Sequence, residues 1–355
     1  RLDDELDKVR LERIENRDEA IAYVLRNYIE AIQDEHEIQN IIDKYSNITA
    51  ATCQQSMEIG KNAIIHEYDL VIVDEAARAN PLDLFIPLSM GKKIILVGDF
   101  LQLPHMLDPE VIKQFEKDEE MQGLDILKKS LFQKLYENFS RRDAKVKRTV
   151  QLTKQYRMNT VIGEFANEAF YEPREFILDS SEVDDSMKEA NLDMYENKPI
   201  AWINADKNRY GMEEGKRSKS RSKEAERIIV EVKEVLKRSP NKTIGVISFY
   251  KKQSDLLKKM IEKNLTDTQA QQVEVGTVDS FQGKEFDVVF LSCVRANNIS
   301  LDDMKHRVGH IQDESRLCVS FTRAKQLLVV VGDRDTVECV PVLKKFILKC
   351  LEKGY

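Results

Sequence analysis

Seven stretches of the chain share one construction: a short, unbroken apolar run that stops abruptly in a polar or glycine-containing loop. They are DLVIVDEA at 69–76, KKIILVGD at 92–99, TVQLTKQYR at 149–157, PIAWINA at 199–205, TIGVISFY at 243–250, FDVVFLSCVR at 286–295 and QLLVVVGD at 326–333. Runs of this length without polar alternation suit strands buried on both faces of a parallel sheet. Parallel strands need crossover connections, and amphipathic helical patterns lie between the later runs at 224–238 and 253–263. The expectation is an α/β chain with two parallel-sheet units.

Length agrees with two units, because 355 residues exceed one ordinary core. Hydrophobic residues are 42% and charged residues 33%, which is too apolar for a disordered chain. Residues 4–45 interleave charged positions with Leu, Val, Ile and Tyr at spacings of three and four, without Gly or Pro, and predict one or two amphipathic helices. The stretch 172–198 is acidic and weakly patterned, and is expected to be a linker. No apolar run approaches the roughly 20 residues that span a bilayer, and the first residues are charged, so a cytoplasmic protein with no membrane partner is expected. Cys53, Cys293, Cys318, Cys339 and Cys350 are scattered and lack metal or redox spacing, which suits buried small hydrophobes in a reducing compartment. A net charge of −7 argues against non-specific coating of nucleic acid, while leaving room for a local basic groove.

Two of the runs end in residues with chemistry. Asp74 and Glu75 close the first, and a carboxylate pair at the carboxyl end of a buried strand lies at the ligand-binding edge of an open α/β sheet. An Asp there can hold Mg²⁺, while a neighbouring Glu can orient and deprotonate water. The pair equally suits the acidic start of a helix, since AARANPLDLF follows. The second run continues into GDFLQLP, where the Gln102 amide can hydrogen-bond a γ-phosphate or its attacking water without adding charge. The same residues also suit a plain strand exit stopped by Pro104. The biased segment at 207–227 can follow phosphates with its Lys and Arg, or remain a hydrated mixed-charge loop.

In order, the chain shows VIVDEAARANPLD, ILVGDFLQLP, LTKQYRMN, VGTVDSFQGKEFDVVFLSCVRAN and LCVSFTRAKQLLVVVGD. This series resembles motifs II through VI of the superfamily-one helicases, in the branch that includes the up-frameshift RNA helicase and its DNA-acting relatives. It extends from about Ile48 to Asp333, and Q-Y-R-M and V-D-x-F-Q-G-x-E-x-D are specific to that branch. The resemblance implies two RecA-like domains, the first incomplete. It also implies an ATP- and Mg²⁺-dependent helicase or translocase on single-stranded nucleic acid, DNA or RNA, hydrolysing ATP at the cleft between the domains and moving 5′ to 3′.

Residue by residue, Asp74 resembles the Mg²⁺-side carboxylate, Glu75 the catalytic base and Gln102 the γ-phosphate sensor. Arg157 and Arg323 resemble paired arginine fingers, a role suited to a planar guanidinium that is always charged. Tyr156 resembles the residue that stacks near the adenosine, and Gly283 and Glu285 of QGKE resemble contacts in the ribose or phosphate region. Thr52, Thr277 and Ser280 occupy positions that face the nucleic-acid backbone in the family.

The chain departs from the family at three places. It contains no G-x-x-x-x-G-K-[ST], the loop that cradles phosphates, so this chain alone is expected to turn over ATP negligibly. Asn159 and Thr160 stand where the family usually has His-Pro, and His105 stands where it usually has a second Pro. In the family the missing loop lies upstream of the stalk. The expected organisation is therefore a stalk segment over 1–45, a partial first RecA-like domain over 46–171, the linker over 172–198 and a second RecA-like domain over 199–355. A helicase-derived binding or scaffold module without turnover is the competing reading. An unrelated P-loop kinase does not call for both QYRM and VDSFQGKE.

Overall fold

The computed structural model describes residues 21–28, 45–62, 68–105, 129–141 and 146–352. It divides into two compact units, one drawn from residues 1–98 and 105–132, the other from 99–104 and 133–355. Residues 21–28 are helical as expected, and the rest of the expected 1–45 helical segment lies almost entirely outside the described residues.

In the first unit, α1 (Cys53–Asn62) precedes β1 (Val71–Val73), α2 (Pro81–Leu88) and β2 (Ile94–Leu96). The two strands pair in parallel, with Val71 opposite Ile94 and Val73 opposite Leu96. Val73, Ala76 and Leu84 form the small core, against which Cys53, Val71, Leu88 and Leu96 pack. Burial on both faces, expected of these strands, is not found here: among the described residues Ile72, Ile94 and Ile95 remain exposed.

The second unit contains α3 (Thr160–Ala166), β3 (Ile200–Asn204), α4 (Ser222–Arg238), β4 (Ile244–Ser248), α5 (Lys251–Asn264), β5 (Val273–Thr277), β6 (Phe286–Ser292), α6 (Glu314–Phe321), β7 (Ala324–Gly332) and α7 (Pro341–Glu352). Its five strands are all parallel, in the order β3-β7-β6-β4-β5. Successive strand side chains point to opposite faces, so Val288 and Phe290 of β6 enter one layer while Val289 and Leu291 enter the other. The first layer is closed by Ile228, Val232 and Val235 of α4 with Leu257 and Ile261 of α5. Their spacing of three and four keeps them on one side of each helix. Phe165 of α3, Phe321 of α6 and Phe346 of α7 close the second layer, with ring centroids 5.0 to 5.5 Å apart. Both faces of the sheet are therefore dry over β3, β4, β6 and β7, which is why those strands read as unbroken apolar runs. Each fully buried large side chain contributes about 1.5–3 kcal/mol.

Three features differ from the sequence expectations. The run at 150–154 is not a sheet strand. Among the described residues it makes one parallel bridge, Lys154 to Asp179, and Val150 and Leu152 are exposed. The acidic segment 172–198 contains 3₁₀ turns and buries Ala190, Leu192 and Tyr195 in the layer formed with α4 and α5. The edge strand β5 was not among the expected strands. Its Val273 and Val275 alternate with Glu274 and Gly276, a weaker signal than a continuous run.

All five cysteines are free thiols, but only Cys293, Cys318 and Cys350 are buried; Cys53 and Cys339 are partly exposed. No helix among the described residues is long and apolar enough to cross a membrane.

Candidate active site

The first unit carries Asp74 and Glu75 directly after β1. Residues 74–78 form turns, and α2 begins only at Pro81, with the Asn80 carboxamide accepting from the Leu82 N–H at 3.0 Å. The acidic helix start is therefore excluded, because a separate residue caps that helix six positions beyond Asp74. Asp74 Oδ1 accepts from the Glu75 N–H at 2.8 Å, and Glu75 adopts a left-handed φ of 52°. Such backbone is costly for a residue with a Cβ and persists only where its surroundings enforce it. Here the Ala76 N–H donates to the Val97 carbonyl at 2.8 Å, tying the turn to the end of β2. Ala76 and Ala77 are buried in that contact, and a Cβ at Gly98 would lie 2.9 Å from the Ala77 nitrogen. Small residues after the carboxylates and glycine after β2 are thus demanded by close approach, while Asp74 and Glu75 stay exposed.

No group of three or more His, Cys, Asp or Glu suited to a metal is found among the described residues. Mg²⁺ keeps several waters and is commonly bound through one or two carboxylates plus substrate phosphates, so a single exposed Asp74 fits that mode of binding and not an all-protein cage.

The second unit brings together Gln102, Arg323, Arg157 and Glu285. Arg323 is 2% exposed. Its guanidinium donates from Nε to the Val319 carbonyl and from Nη1 to the Lys284 carbonyl, each at 3.1 Å, and from Nη2 to Thr322 Oγ1 at 3.0 Å and Gln102 Oε1 at 3.3 Å. Gln102 Nε2 in turn donates to Asp99 Oδ2 at 2.9 Å, and Tyr171 Oη donates to the same oxygen at 2.7 Å. Arg157 is half-exposed. Its Nε donates to Glu285 Oε2 at 2.8 Å and its Nη1 reaches the Thr322 carbonyl at 3.5 Å. One arginine is therefore held on four sides, and the other rests on an exposed carboxylate.

The remaining expected residues are placed less tightly. Tyr156 is 59% exposed and uses its hydroxyl on Glu182, leaving an open ring face. Its neighbour Gln155 is buried and closes the turn, accepting from the Met158 N–H at 2.8 Å and donating to Ser180 Oγ at 2.8 Å. Asn159, one of the family departures, caps α3 by accepting from the Val161 N–H at 2.9 Å. The other, His105, is buried. Gly283 adopts a φ of 78° in an exposed turn beside Glu285. Thr52 caps α1 reciprocally with Gln55, each backbone N–H donating to the other's side chain. Thr277 ends β5, and its carbonyl accepts from Ser280 Oγ at 2.7 Å.

Sequence reasoning gave no role to Asp99 or Tyr171. The three-residue offset from Asp99 to Gln102 was a usable signal, whereas Tyr171 lies 69 positions beyond Gln102 and carried none.

Family models, each described as an AAA domain, match residues 3–108 and 127–335. Helicase sen1 of Schizosaccharomyces pombe is 31% identical over 317 residues, which is 84% of this chain and 16% of that protein. DNA polymerase alpha-associated DNA helicase A of Saccharomyces cerevisiae is 32% identical over 291 residues, 76% of this chain and 39% of that protein. ATP-dependent helicase upf1 of Schizosaccharomyces pombe is 26% identical over 348 residues, 92% of this chain and 34% of that protein. The chain thus spans well under two thirds of each of these relatives. With the AAA-domain matches falling on the same residues as the motif series, the chain belongs to the superfamily-one helicases, in their up-frameshift-like branch.

Proposed function

We propose that the protein is a cytoplasmic ATP-dependent helicase or translocase that moves along single-stranded nucleic acid, DNA or RNA. The observation that carries this reading is the hydrogen bond between Arg323 and Gln102, which joins the buried arginine of FTRA to the half-buried amide of GDFLQLP. A guanidinium held in place by three further acceptors is pre-organised, so it needs little reorganisation when charge develops on a transferred phosphoryl group.

In this reading Glu75 accepts the proton of the attacking water. Arg323 and Arg157 stabilise charge on the equatorial oxygens, and Gln102 reports the state of the γ-phosphate. Asp74 would hold Mg²⁺, which supplies neutralisation of β- and γ-phosphate charge when bound. Arg157 can leave Glu285 at small cost, since an exposed ion pair is worth about 0.2–1 kcal/mol. Tyr156 offers a face for the adenine, Gly283 and Glu285 the ribose side, and Thr52, Thr277 and Ser280 short polar contacts to the strand.

The test is the ATPase rate of the full-length gene product, with and without a single-stranded oligonucleotide, beside Glu75→Gln. Stimulated turnover is expected in the parent protein and none in the variant, with ATP binding and salt-sensitive strand binding kept in both. Equal rates in the two proteins would remove Glu75 from the chemistry. Strand binding without turnover in the parent would favour the scaffold.

A further inference from the structure

Tyr171 ends a π-helical turn, Asn167–Tyr171, that continues α3. A π turn takes in more residues than an α turn, and each added residue redirects later side chains by about 100° relative to a continued α-helix. The redirected Tyr171 hydroxyl meets Asp99 Oδ2 at 2.7 Å. Asp99 Oδ1 accepts from the Leu101 N–H at 2.9 Å, and Oδ2 also accepts from Gln102 Nε2 at 2.9 Å. A carboxylate only accepts, so it requires the nitrogen end of the Gln102 amide and turns the oxygen end towards Arg323. Burial, and then the neighbouring Cys318 and Asp99, raise the Tyr171 pKa far above its ordinary value, so the hydroxyl stays a donor. Cys318, 3.9 Å from that hydroxyl, lies on α6, the helix that leads into Arg323. Tyr171 therefore touches both the loop that carries Gln102 and the helix that leads into Arg323.

We propose that Tyr171 is a positioning residue: through Asp99 it fixes which end of the Gln102 amide faces Arg323, and so keeps the γ-phosphate sensor in register with the arginine. This rests on the roles given to Gln102 and Arg323 under the proposed function. Hydrogen bonds to charged groups are the stronger class, and losing one of this kind here is expected to lower kcat about tenfold.

The experiment is a double-mutant cycle on Tyr171→Phe and Asp99→Asn in the full-length protein, read by ATPase kinetics, with the Gln102 side-chain amide resonances followed by NMR. Each single variant is expected to lower kcat about tenfold while leaving the KM for ATP unchanged, and the double variant should be no slower than Asp99→Asn alone. Both variants should shift the Gln102 amide signals, with melting temperatures near that of the parent. Unmoved Gln102 signals, a kcat within twofold of the parent, or additive losses in the double variant would each overturn the proposal. A parent protein without ATPase activity would instead refute the proposed function, and the Gln102 signals would still decide whether Tyr171 orients the amide.

Discussion

Arg323 Nη2 lies 3.3 Å from Gln102 Oε1, a hydrogen bond between residues 221 positions apart in the chain. The contact commits one donor of a buried guanidinium to an uncharged amide, while its other donors hold the Val319 and Lys284 carbonyls and the Thr322 hydroxyl. Position 323 is therefore structural, and under the proposed function it is chemical as well, so substitutions there should show both effects.

Arg323→Lys is expected to lose most of the turnover, because one ammonium cannot satisfy this fork of acceptors. Loss of an arginine finger costs about 10³–10⁵ in rate. The variant should also melt lower, since each buried acceptor left unpaired costs about 1–3 kcal/mol. Calorimetry beside ATPase kinetics checks this; a parent-like melting temperature would show that the buried network contributes nothing to stability.

Arg157 should behave differently. Its pair with Glu285 is half-exposed, so Glu285→Gln should change stability by less than about 1 kcal/mol. Arg157→Ala should abolish turnover with a melting temperature near that of the parent. If Arg157→Ala instead lowered the melting temperature while keeping parent-like turnover, the finger assignment would belong to Arg323 alone.

Asp287 supplies a pH-dependent term. Burial alone would raise its pKa, but the Thr243 backbone N–H at 2.9 Å, the Thr243 hydroxyl and the Lys325 ammonium at 3.0 Å outweigh it and hold the carboxyl below the usual range. A depressed folded-state pKa gives stability that is present above the unfolded value and is lost as pH falls through the folded one. Asp287→Asn should destabilise the protein by about 1–2 kcal/mol at pH 7, an effect that shrinks as pH drops below about 4. Urea titrations across that range measure it, and a pH-independent difference would rule out the charge as its source.

The thiols should divide by burial. In the native protein iodoacetamide is expected to modify Cys339 first, while Cys293, Cys318 and Cys350 react only after denaturation. Burial pushes the thiol of Cys350 up to about 12 and raises those of Cys293 and Cys318 as well. Burial and then Asp83 raise that of Cys53, which should lag behind Cys339. Mass spectrometry of peptides after timed labelling decides the order, and early modification of Cys318 would contradict the packing around Tyr171.

The sequence alone determined the α/β class and six of the seven strands, because each is written as a short apolar run, which in β3, β4, β6 and β7 follows from burial on both faces. It also marked Asp74, Glu75, Gln102, Arg157 and Arg323 as candidates, since each stands at a strand end or in a motif whose residue types suit phosphoryl chemistry. It could not show that the run at 150–154 stays outside a sheet, because an apolar run becomes a strand only where partners cover it, and among the described residues Val150 and Leu152 are exposed. Nor could it reveal that residues 190–195 enter a core, since their burial depends on α4 and α5 arriving from later in the chain. Only the tertiary structure distinguished the fixed Arg323 from the exchangeable Arg157, for that difference lies in carbonyls and an amide contributed by distant segments. Tyr171 was invisible for the same reason: its meaning depends on a π turn and on Asp99, 72 residues away, and no local pattern encodes either.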